Sequence, residues 1–153
     1  MRSMSSLVAK LANNHPGIAF TIGNTARWSR DEQTVYHNPG EPHADWVLLH
    51  ETAHALLDHS DYARDIELLA LEREAWEYAS HTLAPDYGVC INPAFINEHL
   101  DTYRDWLHAK STCPACQSNG YESSPQQYAC VHCGGTWHTN TGVDREIRRF
   151  QTV

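Results

Sequence analysis

The stretch that most constrains this chain runs from Trp46 to Leu57, where His50-Glu51-x-x-His54 lies in an apolar run with no Gly or Pro. Such a run reads as a helix. Two His at i and i+4 then lie one above the other on a single face. Their imidazoles can converge on one zinc ion, with Glu51 beside them as general base. The apolar setting suits this reading, because a catalytic zinc helix is buried on its non-metal side. The rival is a helix with two satisfied His and no ion, and a third ligand decides between them.

In chain order, Ser5 to Asn14 reads as a helix with Leu7, Val8 and Leu11 on its apolar stripe, ended by Pro16-Gly17. Short strands follow at 18–22, 26–29 and 33–37, with Gly23-Asn24 as a turn. They predict a small antiparallel sheet of two or three strands, with the strand near Val35 at an edge that could take substrate by strand addition. The zinc helix is expected over 43–58, with Pro42 near its first turn. A second helix is expected over 62–82, capped by Ser60 or Asp61, with Ile66, Leu69, Ala70, Trp76 and Ala79 inward. Asn92-Pro93 opens a third helix, to about Lys110, whose Phe95, Ile96, Leu100, Tyr103, Trp106 and Leu107 read as core. A short C-terminal helix is expected from Val143 to Phe150.

Glu67, Glu72, Glu74 and Glu77 on the second helix could complete the zinc site. Glu72 shares a face with Leu69, Ala75, Trp76 and Ala79, whereas Glu74 and Glu77 lean away and Glu67 lies over a turn earlier. A carboxylate on a buried face needs a partner, and a metal charge supplies one. Two His and one Glu with a fourth position open to water is a catalytic zinc set. His59 is the competing ligand. The metzincin pattern is excluded because Leu57 and Ser60 stand where it needs Gly and His, and His59 is expected to cap the helix C-terminus.

Four of the five Cys fall in two pairs, Cys113-x-x-Cys116 and Cys130-x-x-Cys133, thirteen residues apart. This spacing, in a chain whose N-terminus makes a poor signal peptide, reads as a zinc ribbon rather than disulfides. Four thiolates close a structural site, and Tyr128 and Trp137 would be its packing aromatics. A redox Cys-x-x-Cys is the rival, without a thioredoxin-like pattern around either pair. His132 and His138 read as bystanders, and Cys90 as inert core.

The segment Leu71-Glu72-Arg73-Glu74-Ala75-Trp76-Glu77-Tyr78-Ala79, followed by Leu83-Ala84-Pro85, resembles the second motif of ImmA/IrrE-type metallopeptidases. That motif runs roughly Glu-x-Gln/Glu-Ala-Asn-x-Phe-Ala and then Leu-Met-Pro. Trp76, Tyr78 and Ala84 depart from it. The resemblance covers roughly residues 30–107 and places Glu72 on the family's third zinc ligand, beside His50, Glu51 and His54. It implies a small gluzincin-like endopeptidase that cuts an intracellular protein, such as a transcriptional regulator. The family's frequent helix-turn-helix is not seen here. SprT-like proteases, which act on DNA-bound proteins, also join this motif to a ribbon, but their third ligand is a His further along. A non-enzymatic zinc-ribbon adaptor with a degenerate peptidase fold would have no need of Glu51.

The expected architecture is therefore α+β. A small antiparallel sheet packs on a helical zincin-like core over 1–110, followed by a zinc ribbon with a short helix over 111–153. Two Zn2+ are expected, one catalytic and one structural. Zinc would lower the pKa of a water toward about 7, and Glu51 would take its proton and pass it to the leaving amine. Tyr78, His81, Tyr87 and His99 are candidate oxyanion donors. The partners are a protein or peptide substrate and, through the ribbon, a protein or nucleic acid. The net charge of -8 disfavours nonspecific nucleic-acid binding. Arg145, Arg148 and Arg149 are the local exception, read as a solvated helix face. No apolar run approaches the ~18 residues of a membrane span, so the chain reads as cytoplasmic.

Overall fold

The computed structural model describes residues 3–140 and 147–152. Helix α1 (Met4–Asn14) starts where the Ser3 hydroxyl accepts the Ser6 N–H, and it buries Leu7 and Leu11. Strands β1 (Ala19–Ile22), β2 (Arg27–Ser29) and β3 (Thr34–His37) form one sheet in the order β1-β3-β2. Helix α2 (Ala44–Leu56) packs on β3 and β2. Helix α3 (Asp65–Tyr78) continues through a π-helical turn (Ala79–Leu83) into α4 (Ala84–Asp86). Helix α5 (Pro93–Ser111) precedes a second, antiparallel sheet with strands in sequential order: β4 (Tyr121–Ser124), β5 (Gln127–Ala129), β6 (Thr136–Thr139) and β7 (Arg149–Gln151). The class is α+β. Among the described residues, no helix is long and apolar enough to cross a membrane.

The first sheet differs from the expected antiparallel one. β1 runs parallel to β3, with Phe20 opposite Val35, and only β2 is antiparallel to it. Val35, fully buried, lies on the central strand with neighbours on both sides, so strand addition is open only at β1 or β2. Two-residue periodicity reports which face a strand buries and is silent on the order of strands.

Two compact units emerge: residues 1–60 with 71–93, and residues 61–70 with 94–153. The expected boundary at 110/111 falls inside the second. The first unit buries Leu48, Leu49 and Ala53 of α2, Ala75 and Trp76 of α3, and Ala79 and Leu83 of the π turn. The wider turn follows directly on the segment that carries Glu72, a placement common at functional sites.

In the second unit the side chain that sequence periodicity would expose is buried. Asp65 is 0% exposed while its neighbour Ile66 is 54% exposed. Asp65 accepts from Lys110 Nζ at 2.9 Å, from Gln126 Nε2 at 2.9 Å and from the Tyr128 hydroxyl. Glu122 accepts the Asp65 N–H at 2.7 Å and the Gln126 N–H at 2.7 Å. Lys110 is equally buried and lies over the Trp106 ring. A charge is kept out of water only when so completely partnered, and this network joins the ends of α3 and α5 to β4 and β5.

The C-terminal helix expected over 143–150 is not observed where it can be seen. Residues 143–146 and Arg145 lie outside the described residues, and Arg149 and Phe150 are in β7, paired with β6. Arg149 donates to the Thr112 carbonyl at 2.6 Å instead of facing solvent on a helix. Cys90, expected in the core, is exposed.

Candidate metal centres

α2 is apolar on most of its circumference, so it buries His50, Thr52 and His54 together with Leu48, Leu49 and Ala53. The Thr52 hydroxyl donates to the Leu48 carbonyl at 2.7 Å, which spares its burial a lost hydrogen bond. The one-turn spacing brings the His50 and His54 rings to 4.6 Å between centroids. On α3, Ala75, Trp76 and Ala79 face inward, and Glu72 goes with them at 7% exposure.

Glu72 meets both histidines. Its Oε1 lies 3.2 Å from His54 Nε2 and its Oε2 lies 2.9 Å from His50 Nε2. His50 Nε2 and Glu72 Oε2 are buried without a hydrogen bond, despite their closeness. Lone pairs pointing at a common centre produce such an approach, and four-coordinate zinc with bonds of about 2.0–2.1 Å sets its ligands about 3.3 Å apart. Burial alone would raise the Glu72 carboxyl, but the two imidazoles outweigh it and hold it well below the usual carboxylate range. His54 shows the reciprocal balance: burial lowers it, and the surrounding carboxylates, Glu72 foremost with Glu51 and Glu74, together raise it by more.

Glu51 has its carboxylate 3.6 Å from His50 Nδ1, and His50, Glu51 and His54 form a group whose ligand atoms lie within 4.8 Å. The His50 ring stacks on Trp76 at 4.0 Å and 4° between planes. Trp76, where the resembled motif has Asn, therefore walls one side of the group.

The other glutamates are placed elsewhere. Glu67 accepts the Ala63 N–H at 3.0 Å, Glu74 lies beside His59, and Glu77 is exposed. Among the candidate oxyanion donors, the Tyr87 hydroxyl accepts from Asn14, and His99 is bound to the Phe95 carbonyl on α5. His81 is exposed and Tyr78 half-buried. His59, expected to cap the helix C-terminus, instead turns its side chain back onto His54, with the two Nδ1 atoms 2.9 Å apart. Sequence reasoning missed that contact, although the five-residue spacing at a helix end could have signalled it.

Cys113, Cys116, Cys130 and Cys133 form the second group. Each pair sits on a turn of the same kind. Gln117 and Gly134, each just after the second Cys, have φ of 66° and 76° and return their N–H to the carbonyl of the first Cys at 2.9 Å. Sγ separations of 3.6 Å for Cys113–Cys133 and Cys116–Cys130 are far too long for disulfides. They match the edge of about 3.8 Å of a tetrahedron with metal–sulfur bonds of about 2.3 Å. Gly135 lies close beside them: an added Cβ would be 3.3 Å from Cys133 Sγ, a tight contact. Hydrogen bonds from Ser118 hold the Cys116 thiol down at about 6. Tyr128 and Trp137, the expected packing aromatics, are buried with Cys113 and Cys130.

Both groups could therefore hold a metal ion. No protein-family model matches the chain, and no curated protein or solved structure matches it either.

Proposed function

We propose that the chain is a zinc-dependent endopeptidase of the ImmA/IrrE type, with His50, His54 and Glu72 as the ligands of the catalytic zinc and Glu51 as general base. One observation carries the reading: the buried Glu72 carboxylate lodged between the Nε2 atoms of His50 and His54, with Glu51 alongside. The donor set is that of catalytic zinc with an open position, and zinc bound there supplies a Lewis acid that acidifies water toward a pKa of about 7 and polarises a carbonyl.

The chain's own residues do the rest. Trp76 holds the plane of His50 by stacking. Glu51 is near enough to the two His to take the proton of the attacking water and return it to the departing amine. The substrate is a peptide bond of a protein, by the resemblance an intracellular regulator. Cys113, Cys116, Cys130 and Cys133 would hold a second, structural zinc with no position open for chemistry.

The test combines metal content with cleavage of a quenched-fluorescent peptide library. Wild type is expected to hold two zinc per chain and Glu72→Ala one. Glu51→Gln is expected to keep both zinc and lose activity by about 10²–10⁴-fold, the usual contribution of a positioned acid–base group. Unchanged zinc in Glu72→Ala, or full activity in Glu51→Gln, would overturn the assignment.

A further inference from the structure

The turn that closes α2 aims one more imidazole at this centre. Asp58 takes a left-handed conformation with φ of 53°. Its N–H donates to the Ala55 carbonyl at 3.1 Å, and the next N–H, of His59, donates to the His54 carbonyl at 3.0 Å. In this helix-closing motif the residue after the left-handed one folds back over the residue five positions earlier. His59 is thereby delivered to His54 by the backbone.

The turn is braced on two sides. Arg30 donates from Nε and Nη2 to the Asp58 carboxylate at 2.9 and 3.2 Å, on a residue that lacks glycine's ease at positive φ. Trp28 Nε1 donates to the His59 carbonyl at 3.2 Å.

The nitrogens then fall in a row. His54 has Nε2 at 3.2 Å from Glu72 and Nδ1 at 2.9 Å from His59 Nδ1, and His59 Nε2 lies 3.5 Å from Glu74 Oε1. A neutral imidazole has one N–H and one lone pair. If His54 Nε2 gives its lone pair to a metal, its proton is on Nδ1 and is donated to His59 Nδ1. The His59 proton is then on Nε2, the atom that faces the Glu74 carboxylate. One tautomer assignment suits all three contacts, the last of which is an ion-pair approach longer than a hydrogen bond.

We infer that His59 is a positioning residue of the metal centre: it accepts from His54 Nδ1–H and fixes the tautomer and orientation in which His54 presents Nε2. The inference rests on the reading of His50, His54 and Glu72 as metal ligands. His59 acts from the side of the ring opposite to Glu72, so it is not a fourth ligand. Outer partners of this kind raise metal affinity by about 10–100-fold.

The experiment equilibrates the zinc-loaded full chain against graded concentrations of a chelator and counts the zinc retained. Wild type is expected to release its zinc in two steps, of which His54→Ala lacks one; the other, from the four cysteines, is an internal control for folding. His59→Ala is expected to shift the His54-dependent step to about 10–100-fold weaker affinity. His59→Asn is expected to restore most of it, because its amide oxygen can stand where Nδ1 accepts. Imidazole 15N signals are expected to place the His54 proton on Nδ1 in wild type.

An unmoved step in His59→Ala, with His54→Ala still lacking it, would overturn the inference alone. So would complete loss of that step in both His59 variants, which would make His59 a ligand. Two steps retained in His54→Ala would overturn the metal centre and this inference with it.

Discussion

The two candidate metal centres are built on opposite plans. The histidine–glutamate group hangs from α2 and α3, whose apolar faces bury Leu48, Leu49, Ala53, Ala75 and Trp76 around it. Those helices have a core of their own, so the donors are aimed before any ion arrives. The cysteine group sits on two tight turns, and the buried cluster around it is Tyr128, Trp137, Cys113 and Cys130, with Cys116 partly buried against it. There the ion would be part of the core. A preformed site can leave a position open for chemistry, whereas a site that must also fold its surroundings takes every position for protein ligands.

The largest expected effect tests that contrast directly. Removing metal with a chelator should abolish hydrogen-exchange protection in β5 and β6 and leave α2 protected. Structural zinc sites supply apparent free energies of about 10–16 kcal/mol, more than so small a sheet can replace. Persistent protection in β5 and β6 after metal removal would break the comparison.

Next are the supports proper to each region. Trp76→Ala should cost about 3–5 kcal/mol of stability in denaturant, as large aromatic truncations in a core do, and should weaken retention of the zinc that depends on His54. Lys110→Met should cost about 3–5 kcal/mol, read from the amide signals of β5 and β6, because it leaves the Asp65 charge short of a buried partner. If Lys110→Met were neutral, the second unit would owe nothing to its ion pair, and the ion's share in its folding would have to be larger still.

The smallest effect concerns His37, which lies on the strand that α2 covers. Burial lowers its pKa from the ordinary 6.5. Its contribution to stability is therefore present above about pH 6.5, where both folded and unfolded states are neutral. It is lost as pH falls below that value, where the unfolded chain takes up the proton first. His37→Gln should flatten that acid-side slope in pH-dependent denaturation. An unchanged slope would remove His37 from the account.

Much of this was legible from local pattern. The spacing His50-Glu51-x-x-His54 is meaningful only on a helix, and the apolar run around it requires one. Glu72 could be picked from four glutamates because a helical face is set by counting residues. The two Cys pairs announced their turns in the same way. Asp65 was not legible: an acidic residue in the first turn of a helix normally faces water, and only Lys110, Gln126 and Tyr128, all distant in sequence, make its burial affordable. The parallel pairing of β1 with β3 was hidden because alternation along a strand does not name its neighbour.

The sequence by itself determined helices α1, α2, α3 and α5, the candidate donor types and their spacing, since these follow from periodicity within one turn or one knuckle. Only the tertiary structure decided that the Glu72 carboxylate stands between the two Nε2 atoms and that α5 belongs with the cysteine-bearing sheet. Each of these depends on where separate elements meet, and that is set by burial and charge pairing between residues far apart in the chain.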